Sequence, residues 1–148
     1  MKTGAQKLVM LALLGSLIVL LVLIGGCTNG EVVLLKTQVM EDVTSEEAYA
    51  LVQNNRANQN FAIIDVRTPE EYVGGYIEKA INLDYYSETF QDKLNKLDKN
   101  KTYLIYCRGG RRSEMSLNIM EELGFGEVYN LLGGMVRWKS EGLPVVSR

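Results

Sequence analysis

The sequence predicts an α/β domain built on a mainly parallel central sheet of about five strands flanked by helices. Three observations predict it. Phe61 to Val66 and Thr102 to Tyr106 are short runs of aliphatic, β-branched and aromatic residues, the pattern of strands buried on both faces of a sheet. Segments of helical period separate such runs, several of them opened by a capping residue. There are no repeats or low-complexity stretches, and with only Pro69 and Pro144 as prolines nothing divides residues 37–148, which are expected to form one domain.

In chain order, a first strand is expected near Thr37 to Asp42. Thr44-Ser45-Glu46-Glu47 then reads as a capping box, with Thr44 as N-cap and Ala48, Leu51 and Val52 giving the helix its apolar face. After the run 61–66, Thr68-Pro69-Glu70-Glu71 starts a short helix, with Pro at its first position and acids in its first turn. Ile77 to Leu83 is a weaker strand candidate. Phe90, Leu94 and Leu97 share one helical face, and Thr102 to Tyr106 is the second clear buried strand. Cys107 to Arg112 reads as a loop, and Ser113 as the start of a helix that runs to about Leu123 and stops at Gly124. Val128 to Leu131 forms a last strand before Gly133-Gly134 and a short helix bearing Trp138, which is expected to pack in the core.

The N-terminus has a different composition. Lys2 and Lys7 make a short positive region, Leu8 to Ile24 is an apolar run interrupted only by Gly15 and Ser16, and Ile24-Gly25-Gly26-Cys27 closes it. A basic start, an apolar core and small residues before a cut site describe a secretory signal over residues 1–26. The aliphatic-small-small-Cys ending closely resembles the lipobox of prokaryotic lipoproteins, which implies lipidation of Cys27 and a tether over 27–36. The rival reading is an uncleaved anchor, since the run sits at the lower edge of what spans a bilayer. Both readings export the following domain and hold it at the membrane, extracytoplasmically. Two of the 16 basic residues and none of the 18 acids lie in residues 1–26, so the remainder carries a net charge of −4.

Composition narrows the chemistry. The 148 residues include no histidine and two cysteines. Ser-His-Asp triads, Cys-His pairs and HExxH zinc sites are excluded, and the soft ligands for a structural zinc site are too few, so neither metal nor cofactor is expected. A whole-chain net charge of −2 argues against general nucleic-acid binding.

One loop concentrates reactive groups. Cys107-Arg108-Gly109-Gly110-Arg111-Arg112-Ser113 lies between a buried strand and an amphipathic helix. Glycines at 109 and 110 let successive N–H groups curl inward as an anion-binding nest, and the helix behind them adds unpaired N–H groups. Three arginines add full charge. At an ordinary thiol pKa of ~8.5 only about 3% is ionised at pH 7, and making thiolate the major form takes ~2.7 kcal/mol of differential stabilisation. A helix terminus typically supplies ~0.3–1 kcal/mol, so amides and arginines are expected to supply the rest. Asp65-Val66-Arg67 leaves its strand at the same carboxyl edge, where ligands bind in such sheets. Arg67 is therefore expected to reach an anionic substrate. Asp65 either orients loop amides or an arginine, or caps the helix after Pro69.

At these residues the chain resembles a single-domain rhodanese, a sulfurtransferase. Three blocks carry the resemblance: Asp65-Val66-Arg67-Thr68-Pro69-Glu70-Glu71-Tyr72 with Gly75-Tyr76-Ile77 and Ala80-Ile81-Asn82; the Cys107–Ser113 loop, matching C-x-x-G-x-R-S; and Leu132-Gly133-Gly134 with Trp138, Gly142 and Leu143-Pro144-Val145. It implies a rhodanese-like fold and a persulfide on Cys107, loaded from a small sulfur-containing anion such as thiosulfate and passed to a thiol or cyanide, a protein acceptor included. Arg67, Arg108, Arg111 and Arg112, with the amides of Gly109, Gly110 and Ser113, would hold the anion. A persulfide carrier without turnover is the alternative. A cysteine phosphatase is a weaker one, because four residues separate Cys107 from Arg112 where related phosphatases have five. The family often has His where Tyr76 stands and Gly where Lys79 stands.

Overall fold

A computed structural model of the protein describes residues 37–147. The leader, Cys27 and the tether to residue 36 lie outside them. Five strands form one parallel sheet: β1 Val39–Val43, β2 Phe61–Asp65, β3 Ile81–Asn82, β4 Thr102–Tyr106 and β5 Glu127–Leu131, in the spatial order β1-β5-β4-β2-β3. Both apolar runs are thus central strands, and Ile64, Leu104 and Ile105 are fully buried. Burying each such side chain contributes about 1.5–3 kcal/mol.

Strand alternation sorts the core into two layers. Ile63, Leu104, Tyr106 and Leu131 face one layer with Ala48 of α1 (Ser45–Asn54), Tyr72 of α2 (Pro69–Val73) and Trp138 of α5 (Gly134–Ser140). Ile64, Tyr103, Ile105 and Val128 face the other with Phe90 and Leu94 of α3 (Phe90–Asn95) and Met120 of α4 (Arg111–Glu122). Trp138 is core as expected, and its indole N–H is satisfied by the Pro144 carbonyl at 2.9 Å.

The starts of α1 and α2 follow the sequence. Thr44 and Thr68 each accept from the backbone N–H three residues on, and Glu47 and Glu71 reach back to the cap backbone. Three elements shift. The first strand begins at Val39, not Thr37, because β5 reaches no further along it. The candidate strand 77–83 shrinks to Ile81–Asn82: the Ile77 N–H donates to the Tyr106 hydroxyl at 3.1 Å, and Lys79 turns the chain at φ 66°. A left-handed lysine costs about 1–2 kcal/mol, and its ammonium reaches the Arg56 carbonyl at 2.9 Å. The helix expected from Ser113 starts instead at Arg111, since Gly110, at φ 104°, turns the chain so that its carbonyl already accepts from the Glu114 N–H at 2.9 Å.

Candidate active site

Cys107 follows β4 at the carboxyl edge of the sheet and is 2% exposed. Two donors converge on its sulfur, one from the backbone and one from a side chain. The Gly110 N–H donates to Sγ at 3.1 Å, and the Ser113 hydroxyl lies 3.6 Å from Sγ and 2.9 Å from the Gly110 carbonyl, between which its one proton is shared. Burial pushes the Cys107 thiol up. The Ser113 hydroxyl and the N–H groups of Ser113, Gly109 and Gly110 outweigh it and hold the thiol below its ordinary value.

The loop is shaped from behind by α5. The Met135 N–H donates to the Cys107 carbonyl at 2.9 Å and the Val136 N–H to the Arg108 carbonyl at 3.0 Å. With those carbonyls turned toward α5, the next amides are free to face the sulfur. Gly134 permits this approach, because a Cβ there would overlap the Cys107 carbonyl oxygen and the Arg108 backbone. The sequence signal for this wall was the Gly133-Gly134 pair, whose link to Cys107 is visible only in three dimensions.

The arginines divide into two kinds. Arg67, expected to reach substrate, is 4% exposed and largely committed inward. Its backbone N–H and Nε donate to Asp65, its Nη2 to Asp65 and to the Gly75 carbonyl at 2.7 Å, and its guanidinium lies 5.6 Å from the Tyr106 ring centre. Asp65 therefore orients an arginine and a loop amide, and Thr68 caps α2. Arg112 makes a two-pronged pair with Glu71, Nη1 to Oε2 at 2.7 Å and Nη2 to Oε1 at 2.9 Å. This hydrogen-bonded pair raises Arg112 and lowers Glu71, with the Cys107 charge also acting on Arg112. Its guanidinium lies 5.5 Å from the ring centre of the exposed Tyr86. Arg108 and Arg111 are exposed and take no side-chain partner among the described residues. Of the amides and arginines expected to ionise the thiol, the amides act together with the Ser113 hydroxyl, and the most firmly placed loop arginine is held by Glu71. Sequence reasoning did not single out Glu71 as a site residue, having read it only as an acid of the first turn.

Beside the loop, Arg67, Glu71, Arg108, Met135, Val136 and Lys139 line a groove of about 310 Å³. A second hollow, of about 340 Å³, sits at the amino edge of the sheet around Val52, Arg56, Phe61 and Lys79, away from Cys107. Among the described residues no group of three or more His, Cys, Asp or Glu side chains could hold a metal ion.

With this geometry established, likeness to known proteins is informative. The rhodanese-like domain family matches residues 44–141. The chain belongs to that family. A sulfurtransferase of Allochromatium vinosum is 30% identical over 105 residues, covering 71% of this chain and 96% of the relative. A thiosulfate sulfurtransferase of Coxiella burnetii is 33% identical over 100 residues, covering 68% and 88%. The crystal structure of a rhodanese-like domain protein from Staphylococcus aureus superposes with a TM-score of 0.57 at 36% identity, covering 73% of this chain and all of that one. That of a rhodanese-related protein from Thermoplasma volcanium gives 0.63 at 26% identity, covering 73% and 99%. This rhodanese-like chain therefore has sulfurtransferase relatives that align along nearly their whole length.

Proposed function

We propose that the domain transfers sulfane sulfur from thiosulfate or a persulfide, through a persulfide on Cys107, to a thiol or cyanide. The observation that carries this is the convergence of the Gly110 N–H and the Ser113 hydroxyl on Sγ, which lowers the thiol without any base. The Cys107 thiolate attacks the outer sulfur of thiosulfate. A Sγ–S bond forms, the S–S bond of the donor breaks, and sulfite leaves with the electron pair. The terminal sulfur, negatively charged, then takes the place in front of the 108–113 amides. Arg108 and Arg111, whose charges are uncompensated, suit the departing oxyanion. An acceptor removes the outer sulfur and returns the pair to Sγ. The four-residue spacing from Cys107 to Arg112 favours sulfur over phosphate.

We further propose that this chemistry is carried outside the cytoplasm, the domain being held at the membrane through lipidated Cys27 or through an uncleaved helix over Leu8 to Ile24. Support for this comes from the sequence. Acyl labelling lost in Cys27→Ala is the expected result for the lipid anchor; membrane retention without acylation would point to the helix.

For the chemistry, the full chain in detergent is treated with thiosulfate and weighed intact. One sulfur should add to the wild type and none to Cys107→Ser, with thiocyanate released repeatedly in excess cyanide. Loading that persists in Cys107→Ser would overturn the site, and loading without repeated release would mean a carrier. The pH profile of loading should show a single inflection below the ordinary thiol value, since no histidine is present to add a second.

A further inference from the structure

The geometry points to the groove beside Cys107 as the seat of the acceptor, with Lys139 selecting small thiols that carry a carboxylate. This rests on sulfur transfer through Cys107 and names the acceptor class for it.

Charge pairing around the groove leaves a specific surplus. The Arg67 charge is matched by Asp65 and the Glu71 charge by Arg112. Arg108 and Lys139 remain, both exposed, and neither has an ion-pair or side-chain hydrogen-bond partner among the described residues. Arg67 itself, although 4% exposed, forms part of the groove wall, and among the described residues its Nη1 donates no hydrogen bond while Nε and Nη2 do. An uncommitted donor of the groove wall and two unpaired cations thus face one hollow. An anion entering it would gain charge-assisted hydrogen bonds without displacing an existing partner.

The hollow is joined to the catalytic loop. Met135 and Val136 line it, and their N–H groups bond to the carbonyls of Cys107 and Arg108. Lys139 stands three residues past Val136, on the same face of α5, and Val136 is 58% exposed. An apolar stem lying on Val136 would run from the thiol toward a carboxylate at Lys139. The volume of about 310 Å³ falls at the low end of the ~300–1,000 Å³ typical of small-molecule sites, and exceeds what sulfite or cyanide fills. In the transfer, the acceptor thiol releases its proton to solvent and its thiolate attacks the outer sulfur of the Cys107 persulfide. The new S–S bond forms on the acceptor as the bond to Sγ breaks, and Cys107 recovers its thiolate.

The test compares 3-mercaptopropionate with 2-mercaptoethanol, two thiols differing in the carboxylate, as acceptors for the thiosulfate-loaded full chain in detergent. In Lys139→Gln, KM for 3-mercaptopropionate should rise ~5-fold with kcat unchanged, the upper range for one exposed charge pair. KM for 2-mercaptoethanol should stay put, and Lys139→Arg should restore the wild-type value. Equal shifts for both thiols, or no shift for either, would overturn the proposal. Mass spectrometry before any acceptor is added separates it from its foundation: a wild type that takes up no sulfur on Cys107 refutes the transfer reaction itself.

Discussion

Two helices of this domain begin with the same local device and end up with different work. Both α1 and α2 open on Thr-x-x-Glu, and both close the reciprocal cap, Thr44 with Glu47 and Thr68 with Glu71. Glu47 has a second bond only to the Thr44 hydroxyl, at 2.8 Å. Glu71 bonds across 41 residues to Arg112, at the start of the helix that carries the thiol's donors. The difference lies in where each helix starts. α1 follows the edge strand β1, whereas α2 follows β2, next to β4 at the carboxyl edge where Cys107 emerges. An identical cap therefore becomes part of the candidate site when topology sets it facing the Cys107 loop.

This contrast can be broken experimentally. The largest effect is expected for Glu71→Gln, which leaves Arg112 without its anion and frees the first turn of α4. Sulfur transfer should fall roughly 10-fold, equivalent to ~1.4 kcal/mol of barrier, while Glu47→Gln should retain wild-type rates in the same cyanide assay. A double-mutant cycle on Glu71→Gln and Arg112→Ala should return a coupling of ~1–2 kcal/mol by denaturant unfolding, since the pair is direct and largely buried, at 27% and 13% side-chain exposure. Independent effects would mean that the pair is incidental. Smaller still, Thr44→Ala and Thr68→Ala should each cost ~1 kcal/mol of stability. Only Thr68→Ala should also slow turnover.

Acidity offers a further distinction. Both carboxylates are held below the ordinary value of 4.5, Glu71 first by the Arg112 hydrogen bond and Glu47 first by the Thr44 backbone. A lowered carboxylate binds fewer protons folded than unfolded, so its contribution is fully present above about pH 4.5 and is lost as pH falls through the folded value. Glu71→Gln should therefore flatten the acid limb of the stability curve below pH 4.5. Restoring the limb with salt alone would show that general charge, and not this pair, produces it.

The same divide governs what the sequence could reveal. The central strands, both caps and the loop bearing Cys107 were legible because each depends on neighbours within a few residues. Arg67 was legible only in part: Asp65, two residues back, and Gly75 bind its Nε and Nη2 while the residue still lines the groove, and only packing decides how a side chain at a strand end divides in this way. Glu71–Arg112 and the approach of Gly134 to Cys107 join distant segments, and no local pattern encodes them. The strand expected over 77–83 is shortened for a related reason: the Tyr106 hydroxyl takes up the Ile77 N–H that a longer strand would have paired.

The order of assembly gives the α5 contacts a kinetic meaning. β1 pairs with β5, so the first strand of the sheet waits for nearly the last, a long-range closure of the kind that slows folding. Met135 and Val136, which hold the carbonyls of Cys107 and Arg108, come later still. Until α5 docks, the Cys107 and Arg108 carbonyls lack the donors that turn them away from the sulfur. The lowered pKa of the Cys107 thiol thus depends on a contact between distant segments, and thiolate formation should report native packing of α5 against the loop.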